Sequence, residues 1–159
     1  MWAQYGGNHR GICFIFDKDC LESVIQRELG AKGRIYSGKV IYSNNSNEVI
    51  DASTFNLDTV NRDGTENVLS KHIDLHSITL FFTKNPDWRD EREYRFVLHG
   101  EDKNPEFIPI KDCIKGMVLG TDFPDVYIPV IKSMQKQYKI NVGQMAWNNG
   151  LPCVNVITK

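Results

Sequence analysis

Short apolar runs recur along this chain, and three stretches between them carry a helical repeat; that alternation most limits the fold. Ile12-Cys13-Phe14-Ile15-Phe16, bounded by Gly11 and Asp17, is too short for a helix and reads as a buried strand. Asp17 or Asp19 then caps a helix with Leu21, Val24, Ile25 and Leu29 on one face, which Gly30 and Gly33 stop. Arg34 to Ser43 holds two β-rich clusters around Ser37-Gly38, a bent strand or tight hairpin, and residues 43–47 form a polar loop. The spacing of Val68, Leu69, His72, Ile73, His76, Leu80 and Phe81 predicts the longest helix over 65–83, with Thr65 at its cap and Asn85-Pro86-Asp87 at its end. Glu93 to Leu98, Phe107 to Ile110 and Ile114 to Leu119 follow as strands.

Asp122-Phe123-Pro124-Asp125 opens a last helix bearing Tyr127, Val130, Ile131, Met134 and Tyr138, with Pro129 in its first turn, where a missing N–H costs little. Ile140 to Met145 and Cys153 to Ile157 close the chain as strands around an Asn148-Asn149-Gly150 turn. The fold expected is α+β, a single domain over 1–159. It has a mixed or mainly antiparallel sheet with about three helices packed on it.

Composition sets outer bounds. A chain of 159 residues with 41% hydrophobic and 25% charged residues can build an ordinary core and does not resemble a disordered segment. Lys+Arg 19 against Asp+Glu 20 gives a formal charge of -1, so bulk charge does not recruit nucleic acid or anionic membrane, although a local patch can. No apolar run is long enough to span a bilayer, and no apolar run follows a basic start near Met1. Cys13, Cys20, Cys113 and Cys153 are too scattered for a zinc site or a disulfide framework, and read as reduced thiols of a cytoplasmic protein.

Two polar clusters carry chemistry. Trp2, Tyr5, His9 and Arg10 lie in a Gly-rich lead-in to the first strand. Rings that stack on a base or nicotinamide, beside a guanidinium that meets phosphate, suit a flat anionic ligand such as a nucleotide. The plainer reading is a Trp and a Tyr at the core edge with His9 exposed. The second cluster is Lys84, Asp87, Trp88, Glu91, Glu93 and Arg95. In a strand, Glu91, Glu93 and Arg95 share one face, with the two carboxylates about 7 Å apart. Such a pair acts as acid and base or grips ribose hydroxyls, and in a dry cleft one carboxyl keeps its proton near neutral pH. The plainer reading is a salt ladder on an edge strand.

Weaker signals carry less. His72 and His76 have zinc-compatible helical spacing but no third ligand is evident, so no metal site is expected. Lys132, Lys136 and Lys139 read as a solvated helix face. The glycine-rich phosphate loops and the nucleophile elbow are absent from the sequence.

The segment Trp2 to Asp17 resembles the "W-x-x-Y-x-x-x-H-x-G-h-C-h-x-F-D" signature of bacterial domain-of-unknown-function family 2971. Phe82-Thr83-Lys84, Trp88, Glu91 and Glu93-Tyr94-Arg95 resemble the same family's "F-x-K…W-x-x-E-x-E-[YW]-R", and Ile114 to Gly120 its closing strand. The resemblance implies a protein of bacteria and their mobile elements. Against the family's pattern the chain lacks the usual N-terminal segment, which leaves three readings open: a truncated gene, a fragment corresponding to the C-terminal part of a longer architecture, or a short member.

Two functional classes follow. Glu91-Arg92-Glu93 is similar to the Glu-x-Glu element of ADP-ribosyltransferases, which implies an enzyme acting on NAD as a substrate. By that resemblance Glu93 holds the nicotinamide-ribose hydroxyl and steadies an oxocarbenium-like transition state, and Glu91 helps deprotonate the acceptor. His9 or Arg10 binds ribose or pyrophosphate and Tyr5 stacks on nicotinamide; Trp88 and Arg95 complete the binding set. The other class is a non-catalytic module for nucleic acid or a protein partner, of the kind found in phage defence. There Trp2, Tyr5 and His9 form a stacking platform and Glu91, Glu93 and Arg95 are structural.

Overall fold

The computed structural model describes residues 2–44, 46–100 and 104–156. Asn45 of the expected loop and Ile157 of the expected last strand lie outside the described residues. In chain order the elements are α1 (Trp2–Tyr5), β1 (Ile12–Phe16), α2 (Lys18–Leu29), β2 (Gly33–Lys39), β3 (Ile41–Tyr42), α3 (Ser46–Ala52) and α4 (Leu57–Asp63). They continue with α5 (Thr65–Phe82), β4 (Thr83–Lys84), β5 (Tyr94–Gly100), β6 (Ile114–Leu119), α6 (Ile128–Tyr138), β7 (Asn141–Asn148) and β8 (Leu151–Val156). Tight 3-10 turns occupy Pro86–Glu91, Lys111–Cys113 and Asp125–Tyr127. The fold is α+β, as the alternation predicts. The chain forms two compact units, one from residues 1–31 with 104–159 and one from residues 32–103.

The discontinuous unit rests on a four-stranded sheet in the order β1-β6-β7-β8. β1 runs antiparallel to β6, β6 parallel to β7, and β7 antiparallel to β8. A parallel pair needs a crossover, and α6 supplies it. The core is where that helix meets the sheet: Met117 and Leu119 of β6 and Val142 of β7 pack with Phe123, Ile131 and Ile140. Pro129 stands in the first turn of α6. Asn149 and Gly150, both at positive φ (51° and 77°), make the two-residue turn between β7 and β8.

β1 departs from its expected burial. Ile12 lies opposite Leu119 and Phe14 opposite Met117, so both face the core side, yet all five residues are exposed. The reason is position: β1 is an outer strand with one neighbour in the sheet. Residues 107–110 are irregular rather than a strand, and Phe107 is exposed. An apolar run of four with no partner strand has nothing to satisfy its backbone in a sheet.

Asp17 caps α2, its Oδ1 accepting from the Cys20 N–H at 3.0 Å, and Val24 and Ile25 are buried. The Asp17 N–H donates to the Cys113 carbonyl at 2.8 Å, which sets the start of α2 against the Lys111–Cys113 turn. There Cys20 and Cys113, 93 positions apart in sequence, form a disulfide with Cα atoms 5.3 Å apart. This corrects the expectation of four reduced thiols; Cys13 and Cys153 are the free ones. Pairing follows spatial approach, which sequence spacing does not report.

In the continuous unit β2 pairs antiparallel with β5 along seven residues, and β3 pairs parallel with β4 along two. The 34–43 segment is therefore one bent strand shared between two ladders, with the buried Val40 at the bend. α5 is the long helix the periodicity predicts, but Gly64 rather than Thr65 occupies its cap position. Ile73 and Phe82 of α5 are buried, as are Val40 and Ala52. The Tyr36 hydroxyl donates to Asp74 Oδ1 at 2.6 Å, and Arg34 pairs with the same carboxylate. α3 and α4 were not expected as helices. Asn56 starts α4 by accepting from the Asp58 and Thr59 N–H groups at 2.9 and 3.3 Å.

His72 Nε2 lies 2.9 Å from the Ala52 carbonyl oxygen, and its ring is 4.4 Å from that of His76. Among the described residues no group of three or more His, Cys, Asp or Glu is placed to hold a metal ion. No described helix is long and apolar enough to cross a membrane.

Candidate functional site

The second polar cluster sits wholly in the continuous unit. Parallel pairing of β3 and β4 sets Tyr42 beside Lys84, and the Ser43 N–H donates to the Lys84 carbonyl at 3.0 Å. Asn85 then starts the 3-10 turn, its Oδ1 accepting from the Asp87 N–H at 2.9 Å, with Pro86 in the first turn. The turn ends at Arg92, whose φ of 48° is left-handed, and β5 begins only at Tyr94. Glu91 and Glu93 are therefore not successive residues on a strand face, which corrects the expected alternation.

What joins them is Lys84. Its Nζ lies 2.5 Å from Glu91 Oε2 and 3.7 Å from Glu93 Oε2, and 4.7 Å from the centre of the Trp88 ring. Arg95 grips Glu93 with two parallel bonds, Nε to Oε1 at 2.6 Å and Nη2 to Oε2 at 2.9 Å. Its third nitrogen, Nη1, donates to the Phe81 carbonyl at 2.7 Å. The Glu93 N–H donates to the Tyr42 hydroxyl at 2.9 Å.

Two cations and two carboxylates thus form one part-buried network, with the Glu91 side chain 13% exposed. The Arg95 bonds hold the Glu93 carboxyl below the usual carboxylate range; burial opposes this, while the Arg95 and Lys84 charges add to it. Arg95 is in turn shifted upward by Glu93. Glu93 is ionised at neutral pH, so it does not hold the proton expected of one partner in a dry carboxylate pair. Sequence reasoning left Tyr42 out. It is 51 residues from Glu93, and nothing in a two-residue ladder announces its partner.

The first cluster sits wholly in the discontinuous unit. The Gly6 N–H donates to the Trp2 carbonyl at 3.0 Å and the Gly11 N–H to the Gly6 carbonyl at 2.8 Å, so the lead-in is a closed loop. Gly7, Asn8 and His9 all have positive φ (57°, 54° and 65°), a sequence of three left-handed residues. The loop is held from the turn just after β6, where the Gly120 N–H donates to the Gly11 carbonyl and the Asp122 N–H to the His9 carbonyl, both at 3.0 Å. Gly120 is required there: a Cβ would fall 1.9 Å from the His9 carbonyl oxygen. Trp2, Tyr5, Gly6, Ile12 and Cys13 line a mainly apolar cleft of about 170 Å³, with Tyr5 63% exposed. His9 is half-buried and Arg10 exposed, and neither lines that cleft.

Both clusters fall inside one family match. The model described as "Protein of unknown function (DUF2971)" matches residues 1–96. The chain belongs to this family. The match takes in the aromatic lead-in and the Lys84 to Arg95 network, whereas Ile114 to Gly120 lies outside it. No curated protein and no solved structure matches the chain.

Proposed function

We propose that the chain is a non-catalytic binding module that takes a flat ring, a nucleobase of nucleic acid, between Trp2 and Tyr5. The observation that carries this reading is the engagement of Glu93. Both of its oxygens are hydrogen-bonded to Arg95, and Lys84 stands beside Glu91 as well. A carboxylate already saturated by a guanidinium is a strut between strand and turn, not a free base. The apolar cleft beside an exposed Tyr5 supplies a stacking surface, which tolerates any base because every base has a π-face. Arg10, exposed in the same lead-in, meets phosphate.

A second reading has its own support. Lys84 draws Glu91 and Glu93 to a single ammonium, and two carboxylates near one point are what ADP-ribosyl transfer from NAD asks for. In that reading Glu93 holds the ribose hydroxyl and Glu91 deprotonates the acceptor. Trp88 and Arg95, in the same continuous unit, hold the nucleotide. A bacterial and mobile-element setting and a part in phage defence rest on the family resemblance under either reading. A cytoplasmic location would make the Cys20–Cys113 bond responsive to redox state, because cytosolic thiols are kept reduced.

One experiment separates the two. Melting of the chain is followed with single-stranded DNA, single-stranded RNA, NAD and ADP-ribose, each also against Tyr5→Ala and Glu93→Gln. Ligand at about 100 times its Kd adds about 2.7 kcal/mol. The binding module predicts a shift with nucleic acid that Tyr5→Ala removes and Glu93→Gln keeps. A shift with NAD or ADP-ribose, with NAD turnover lost in Glu93→Gln, overturns it in favour of the enzyme.

A further inference from the structure

A second cleft in the discontinuous unit is built mostly from residues outside the family match. It measures about 310 Å³ and is lined by Phe14 of β1, Lys111, Ile114 of β6, Met134 and Tyr138 of α6, and Ile140. Its origin is the register of the sheet. Phe14 lies opposite Met117, on the face that α6 covers, but on the outer strand. The space beyond Ile114 and Met134, which pack on the core, is walled by Phe14 and Tyr138, 43% and 38% exposed. Ile140 forms a buried wall. A volume at the lower end of the range for small-molecule sites suits one ring or a short chain.

The lining is apolar except for one charged side chain. Lys111 ends the cleft, its Nζ 5.1 Å from the centre of the Tyr138 ring. Among the described residues it has a ring for company and no carboxylate: Asp17 is taken by Lys115 at 3.2 Å, and no ion pair reaches Lys111. An ammonium against an aromatic face keeps its positive charge available to an anion on its other side. We propose that this cleft binds a small aromatic or aliphatic carboxylic acid, its apolar body between Phe14 and Tyr138 and its carboxylate on Lys111. The carboxylate replaces the water around an unpaired ammonium with a charge-assisted hydrogen bond, while the ring or chain covers exposed apolar surface.

The test is a titration of the whole chain with 4-phenylbutyrate and, separately, with its neutral counterpart 4-phenylbutan-1-ol, followed by amide NMR shifts. The proposal expects saturable shifts confined to β1, the Lys111–Cys113 turn with the start of β6, α6, and Ile140 with the start of β7. The acid should bind at least ten times more tightly than the alcohol. In Lys111→Met the acid falls to the affinity of the alcohol, and the alcohol is unaffected; Lys111 is exposed, so the fold is retained. Phe14→Ala weakens both. Absence of saturable shifts, equal affinity for acid and alcohol, or an acid that binds Lys111→Met as tightly as the parent overturns the proposal.

Discussion

At the scale of single residues, the direction of the Glu93 shift fixes when its charge matters. An unfolded glutamate titrates near about 4.3, and Arg95 holds the folded carboxyl lower. The contribution is therefore fully present above the unfolded value and is lost as pH falls through the folded one. Glu93→Gln should cost about 1 kcal/mol at pH 7, a modest figure because water partly screens the pair. Parent and variant should converge as pH falls through the folded value. Urea unfolding at pH 7 and at steps into the acid range checks this; a gap that stays the same size throughout would mean that Arg95 reads shape and not charge. Arg92 matters in another way. Its left-handed backbone turns the chain between the two glutamates, and a rule of strand alternation has no means of seeing it.

Among the elements, legibility followed local cause. β1, α2, α5, β6, α6 and the β7–β8 turn all announce themselves through an apolar period, a capping side chain or an Asn-Gly pair. α2 gives the clearest check. Asp17 caps it through an acceptor geometry that Asn can reproduce and Ala cannot, so Asp17→Ala should lower the melting temperature and Asp17→Asn should lower it much less. Thermal melting of the two variants decides between a cap and a mere charge paired with Lys115. α3 and α4, seven residues each, are too short for a period to emerge from the sequence, and α4 is started by Asn56 within a stretch rich in turn formers. The candidate site was legible in composition and not in arrangement. Lys84, Trp88, Glu91, Glu93 and Arg95 are close in sequence, whereas Tyr42 joins them through long-range strand pairing and the Phe81 carbonyl from the last turn of α5.

At the scale of the whole molecule, no shift in composition marks the passages near residues 31 and 103 where the chain leaves one compact unit and returns to it. Both segments of the discontinuous unit are needed for its sheet, since β1 comes from the first and β6, β7 and β8 from the second. The Cys20–Cys113 bond then has a topological result. It closes a covalent ring around the backbone of residues 32–103. A protease that cuts once inside that ring opens the loop without dividing the molecule. Limited digestion should thus give a single full-mass band without reductant and two fragments with it. Fragments that separate unreduced would show that the two sulfurs are not bonded. A nick of this kind stays silent until a thiol arrives, and the molecule comes apart at the moment of reduction rather than at the moment of cleavage.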